Sequence, residues 1–187
     1  MTLAAVSDAG PLIHLAEIDS LELLATFDTL LVPETVYREV EAGGVPDGLA
    51  DLSNEIVEAD ESRVGTEELD AGERAAIAVA EERGIVLLTD DLVAREAASD
   101  VGIEVHGTIG VIALGYSRGL LDRDEAASLM RALQRETSLF VTDAVVERGS
   151  PDAGRTVTGH AGSIEPLHAF TMDRSGVVSA EAAERSR

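Results

Sequence analysis

Residues 84–91, GIVLLTDD, constrain this chain more than any other stretch. Ile85 to Thr89 are apolar or β-branched with no polar alternation, the pattern of a strand covered on both faces. Before them runs the clearest helical pattern in the chain, TEELDAGERAAIAVAEERG, read as capped by Thr66 and ended by Gly84. After them comes a second helical pattern, LVAREAASDVG. The same alternation recurs elsewhere. TLAAVS, TLLVP and IEVHG read as strands, and NEIVEA as an edge strand. GPLIHLAEI, SLELLATF, ETVYREVEA, TIGVIALGYSRG and DRDEAASLMRALQRE read as helices. Short apolar strands alternating with helices of roughly ten residues or more predict a parallel sheet in an α/β sandwich.

The chain has 187 residues, 45% hydrophobic but only 3% aromatic, so Ala, Val and Leu must fill most of one domain's core. That domain is expected to span residues 1–149, with TDAVVERG as its last short segment. Residues 150–187, rich in Gly, Ser, Thr and Ala without a sustained period, are expected to form a flexible low-complexity tail. There is no cysteine, which excludes disulfides and thiolate metal sites. No basic, apolar leader opens the chain and no apolar run reaches the roughly 20 residues of a membrane span, so a cytoplasmic location is expected. Asp and Glu total 36 against 14 basic residues, a net charge of −22, and all 14 are arginine. Such a surface repels itself at low ionic strength and is screened in molar salt, which fits the salt-loaded cytoplasm of a halophilic archaeon.

Against that background the acids at the strand ends need a reason. In an open parallel sheet, ligands collect at the carboxyl ends of the strands. Asp8 closes the first strand, and Asp90 and Asp91 close the strand after the long helix; Asp8 and Asp90 are also natural helix caps. Glu73 stands four residues after Leu69 and four before Ile77, within a stripe completed by Ala76 and Ala80, and is expected to face the sheet. A buried carboxylate must be protonated, paired with an arginine such as Arg74 or Arg95, or bound to a cation. Glu39 borders the packed face beside Val36 and Val40. Oxygen ligands with no cysteine describe a hard-cation site suited to Mg²⁺ or Mn²⁺. Bound there, the ion would reverse the local charge and admit an anionic phosphodiester. Arg95 is placed either to hold a phosphate or to pair with Asp91. Ser7 and Thr89 fit turns, caps or supporting hydrogen bonds, while His14 and His106 are expected to pack beside the sheet.

The segments VSDAGPLIHLAEI, LLVPETVYREVEAG, LDAGERAAIAVA, VLLTDDLVAREAA and VHGTIGVIALGYSRGLL, taken in that order over residues 3–149, resemble the PIN-domain nucleases, which include the VapC-like toxins. The likeness is greatest to an archaeal and cyanobacterial subgroup described as nucleic-acid-binding. It implies a PIN-like three-layer α/β/α sandwich around a mostly parallel sheet. It also implies a single-stranded RNA endoribonuclease in which Asp8, Glu39, Glu73 and Asp91 form the catalytic quartet. Of these, Asp8, Glu73 and Asp91 would ligate Mg²⁺ or Mn²⁺, with Asp90 assisting and Arg95 on the substrate. Hydrolysis would then follow from the ion's activation of water and its stabilisation of the leaving oxygen. A homodimer is expected, and an antitoxin protein is a further partner the family allows.

Other assignments lack a residue. A receiver-type phosphoacceptor needs a lysine, and the chain has none; a haloacid-dehalogenase-like phosphatase needs a DxD motif that SDAGP does not supply. The rival from another class is a catalytically weak or inactive PIN-fold interaction module, with TIGVIALGYSRGLL serving either as a dimer face or as ordinary core.

Overall fold

A computed structural model describes residues 2–44, 46, 48–65 and 68–137, together with the backbone of 171–172 and 178–179. The chain divides into two units, residues 1–108 and 109–187. The first runs β1 (Ala4–Ser7), α1 (Ala9–Glu17), a 3-10 turn (Leu21–Thr26), β2 (Thr29–Pro33), α2 (Glu34–Ala42) and β3 (Glu55–Val57). It continues with a second 3-10 turn (Glu61–Arg63), α3 (Ala71–Arg83), β4 (Val86–Leu88), α4 (Leu92–Asp100) and β5 (Val105–His106). The five strands form one sheet in the order β3-β2-β1-β4-β5, and every pair is parallel. The α/β sandwich read from the sequence is therefore the fold, with a sheet that is wholly parallel.

The strand order contains one reversal. From β1 the chain moves to β2 and β3 on one side, while β4 pairs with the opposite edge of β1, Val6 facing Leu87 and Ser7 facing Leu88. The carboxyl ends of β1 and β4 thus flank the topological switch point, where open α/β sheets bind their ligands. Asp8 follows one of these strands and Thr89-Asp90-Asp91 the other.

Small aliphatics make the core. Along α3, Ala75, Ala76, Ile77, Ala78, Val79 and Ala80 are all buried, so the helix is covered nearly all round and shows no single apolar stripe. It packs against β1, β2 and β4, with Ala76, Ile77 and Ala80 joining Val6, Leu31 and Leu87 in one cluster. Alanine at these positions lets helix and sheet approach closely. Gly84 ends α3 in the left-handed conformation at φ 61°, as a helix C-cap without a Cβ readily does.

Two sequence expectations change here. SLELLATF forms a 3-10 turn and not an α-helix. The long helix begins at Ala71, where Asp70 caps it; Thr66, the expected cap, lies outside the described residues. The expected domain boundary at residue 149, the segment 142–149 and most of the expected tail also lie outside them.

In the second unit, α5 (Thr108–Ser117) starts at the boundary and α6 (Arg123–Glu136) follows. A reciprocal cap opens α6: Glu125 N donates to Asp122 Oδ1 at 2.9 Å, and Asp122 N to Glu125 Oε2 at 2.7 Å. The apolar residues Ile109, Val111, Ile112 and Leu114 of α5 are buried within the chain, which is the core role weighed for this segment; Tyr116 and Leu120 remain exposed. Two short antiparallel strands, β6 (Thr171–Met172) and β7 (Val178–Ser179), complete the described backbone. No helix among the described residues is long and apolar enough to cross a membrane.

The close contact between α3 and the sheet sets a stability expectation. Ala76→Leu should lower the unfolding free energy by about 1–3 kcal/mol through overpacking, as measured by denaturant titration.

Candidate active site

Three helices begin at the switch-point rim or beside it, and each begins on an aspartate. Asp8 is the N-cap residue of α1, Asp70 of α3 and Asp91 of α4. Helix N-termini carry unsatisfied N–H groups and the positive end of the helix dipole, so they attract carboxylates. At Asp70 and Asp91, whose side chains accept from Glu73 N and Ala94 N, capping and clustering are therefore one arrangement; the Asp8 side chain makes no such cap bond.

Asp8 is buried at 6% exposure. Its amide donates to Leu88 O at 2.9 Å, continuing the ladder from β1 to β4. Its carboxylate accepts from the Thr89 hydroxyl, Oγ1 to Oδ2 at 2.9 Å, and Thr89 Oγ1 in turn accepts from Asp91 N at 3.3 Å. Fully buried Thr89 thus bridges two of the acids, the supporting role weighed for it from the sequence. Ser7 Oγ donates to Asp8 O at 2.9 Å. Burial pushes the Asp8 carboxyl up to about 6; hydrogen bonds from Ala9 and Thr89 oppose this, and the charges of Asp70 and Glu39 add to it.

Glu73 lies in the first turn of α3 and not in the middle of a stripe, because the helix has not yet begun at Leu69. Half-buried, it closes a capping box: Asp70 N donates to Glu73 Oε2 at 2.9 Å and Glu73 N to Asp70 Oδ1 at 2.8 Å. Burial first, and then the charges of Asp91, Asp70 and Asp8, push its carboxyl up to about 7 against the Asp70 amide hydrogen bond. Glu39 projects from α2, and its Oε1 accepts from Gly72 N at 3.1 Å, in the same first turn. Burial and the Asp70 charge raise its pKa, the Gly72 hydrogen bond opposes them, and Glu61 adds a further push. Exposed Asp91 spends Oδ1 on Ala94 N at 2.9 Å.

The charges of Asp91, Asp70 and Asp8 act on Glu73, those of Asp70 and Glu39 on Asp8, and that of Asp70 on Glu39, so the predicted acids are linked through Asp70, which the sequence reading missed. Its signal was the spacing Asp70-x-x-Glu73, a capping box hidden by starting the helix too early. Among the described residues, no arginine forms an ion pair with any of these five acids. Arg74, one expected partner of Glu73, instead donates to Leu69 O.

Asp90 stands apart. Its Oδ1 accepts from Thr108 N at 2.8 Å, and its Oδ2 from Thr108 Oγ1 at 2.5 Å, with His14 Nδ1 2.8 Å from Oδ2. These contacts turn its carboxylate to His14 and Thr108, and it is not among the charges acting on Asp8, Glu39 or Glu73. Burial draws the His14 pKa down, but the Asp90 hydrogen bond and charge, with Glu17, outweigh it and leave the imidazole above its ordinary value. Arg95 donates Nη1 to Thr89 O at 3.0 Å and makes no ion pair with Asp91; the acid that acts on it is Asp90. Buried His106 has Nε2 2.8 Å from Glu104 Oε1.

The donor chemistry of the five acids, all carboxylate oxygen with no paired arginine among the described residues, fits a divalent hard cation. Their rotamers are turned to the helix ends: among the described residues, no three His, Asp or Glu side chains converge on a point that could hold one ion. A cation would have to draw Glu73 and Asp91 away from their caps.

A parallel sheet ordered 3-2-1-4-5 with acids at its switch point is a doubly wound α/β fold with an anionic ligand rim. The family model described as DUF3368, PIN domain, matches residues 4–154, and the chain belongs to that family. Among solved structures it is similar to a PilT N-terminus domain protein from the archaeon Sulfolobus solfataricus P2. That likeness has 17% identity and a TM-score of 0.50, covering 59% of this chain and 92% of that one. No curated protein matches. PIN domains are generally nucleases that use divalent metal ions.

The raised carboxyls set a pH dependence. A folded-state pKa above the unfolded value means that the native state holds the proton more tightly, so its stabilising effect is complete at low pH and fades as pH rises. For Asp8 the window runs from 3.8 to about 6, and for Glu73 from 4.5 to about 7. Metal-free protein should be more stable at pH 5 than at pH 8, with Asp8 alone contributing roughly 1–2 kcal/mol of that difference. Asp8→Asn combined with Glu73→Gln should flatten the profile of unfolding free energy against pH.

Proposed function

We propose that this chain is a metal-dependent endoribonuclease that hydrolyses phosphodiester bonds of single-stranded RNA. The observation that carries the reading is a set of like charges at the switch point, two of them with carboxyls pushed to about 6 and 7, and no arginine partner among the described residues. Asp8, Glu73 and Asp91 would hold Mg²⁺ or Mn²⁺, with Glu39 and Asp70 completing the anionic rim. When bound, such an ion supplies Lewis acidity and a positive field for the phosphodiester.

The chain's own groups then have defined tasks. Thr89 fixes the Asp8 carboxylate and the Asp91 backbone with one hydroxyl. Arg95, anchored on Thr89 O through one nitrogen, has further guanidinium N–H groups for a phosphate oxygen. The acid surface implies that RNA approaches through the ion and a few arginines, and best in high salt, which fits a halophilic cytoplasm. Pairing with an antitoxin and formation of a homodimer belong to the same proposal.

A second reading is favoured by the caps themselves. Since no three acids converge as they stand, the cluster could serve the helix ends alone in a PIN-fold interaction module without activity.

Cleavage of end-labelled single-stranded RNA in molar KCl with Mn²⁺ separates the two. Wild type should cut, and Asp8→Asn or Glu73→Gln should reduce the rate at least about 100-fold, a loss of roughly 3 kcal/mol in transition-state stabilisation, with the circular dichroism spectrum unchanged. Equal cutting by the variants, or by chelator-treated protein, would falsify the assigned site. RNA affinity measured by fluorescence anisotropy with Mn²⁺ present should hold or rise from 0.1 M to 1 M KCl, as the Debye length falls from about 10 Å to 3 Å. A steep fall from a low-salt maximum would instead indicate binding by a basic patch.

A further inference from the structure

We propose that Gly72 is the positioning residue for Glu39: its missing side chain is the space in which the Glu39 carboxylate docks on the first turn of α3. The proposal deepens the reading above and rests on it, since it concerns how one acid is delivered to the cation-binding rim.

Glu39 borders the packed face of α2 beside buried Val40 but is itself exposed, so solvent is open to its side chain. Instead its carboxylate reaches another helix and accepts from Gly72 N at 3.1 Å. The two residues are 33 apart in sequence. A Cβ built on Gly72 would collide with Glu39 Oε2 and stand 2.9 Å from Cδ, closer than real side chains come, with Oε1 at a tight 3.0 Å. Gly72 is itself buried, so such a Cβ would have no solvent to turn into.

The group that must give way is the far end of a flexible side chain, not backbone. An alanine at 72 therefore leaves the fold intact and moves the carboxylate. Helix propensity would itself favour alanine at this position, so glycine here serves something other than the helix. The same turn carries Asp70 and Glu73, locked to each other by their capping box. One turn of α3 thus fixes three acids, two by its own sequence and the third through the gap at Gly72. Released from that turn, Glu39 would swing into solvent and leave the field that Asp70 and Asp8 share with it.

The test is Mn²⁺ binding by titration calorimetry on wild type, Gly72→Ala, Glu39→Ala and the double variant. Gly72→Ala should stay folded and lose affinity by about as much as Glu39→Ala, roughly 10–100-fold as for removal of a supporting group at a metal site. The double variant should bind no more weakly than Glu39→Ala alone. Unchanged affinity in Gly72→Ala overturns the proposal, as does a full further loss when it is added to Glu39→Ala. Should Gly72→Ala unfold, Glu39→Asp withdraws the carboxylate by one methylene without touching α3. It should weaken Mn²⁺ binding and shift the Gly72 amide resonance, and undiminished affinity overturns the proposal equally. In metal-free wild type, Glu39→Ala should move the Gly72 amide proton upfield as its acceptor is lost; an unmoved resonance rejects the contact itself. A wild type that binds no Mn²⁺ rejects the cation reading of the preceding section, while the amide resonance still decides whether Glu39 docks on Gly72.

Discussion

Repulsion among carboxylates at the ends of β1 and β4 is the constraint to which the first unit answers. A parallel sheet with both faces covered must be apolar along its strands, so its polar chemistry is displaced to the rim. There the N-termini of α1, α3 and α4 offer N–H groups and dipole ends that offset part of the negative charge. Asp8, Asp70 and Asp91 take those positions, and Glu73 and Glu39 lean on the same turn of α3. Burial first, and then the neighbouring charges that the helix ends leave uncompensated, raise the carboxyls of Asp8 and Glu73. Thr89 keeps the arrangement compact, because its hydroxyl serves acids that belong to different strands.

The fold was legible because it follows from local rules: uninterrupted apolar runs such as Val86–Leu88, and a left-handed glycine at 84 that stops a helix. Site residues were legible where they sit at strand ends, as Asp8 and Asp91 do. Glu73 was found for a reason that does not hold. Periodicity counted back through Leu69 treated it as a mid-helix residue, whereas it belongs to a cap. The same miscount concealed Asp70. Asp90 shows a different limit, since its partners His14 and Thr108 lie 76 and 18 residues away. No period or spacing encodes a contact of that kind. The docking of Glu39 on Gly72 was equally hidden, because a glutamate that borders a packed face shows no partner until a second helix is placed beside it.

The division of labour between Asp90 and Asp91 shows how neighbouring residues of one type can differ. Both leave the same strand, and successive backbone directions send them apart. Asp91 turns to the start of α4 and the acid cluster, while Asp90 turns to an imidazole and a threonine, with the Arg95 charge acting beside it. One acid stands among like charges and the other among donors. The pair thus serves two microenvironments of opposite sign a single peptide bond apart.

The sheet has a further property at its margins. Its outermost strands are short, three residues in β3 and two in β5, and β3 opens on an exposed glutamate. Unpaired edges of this length give another polypeptide little main chain on which to template itself. A sequence so dependent on small aliphatic side chains is thereby guarded from edge-to-edge aggregation by geometry as well as by charge, even when salt has screened the latter.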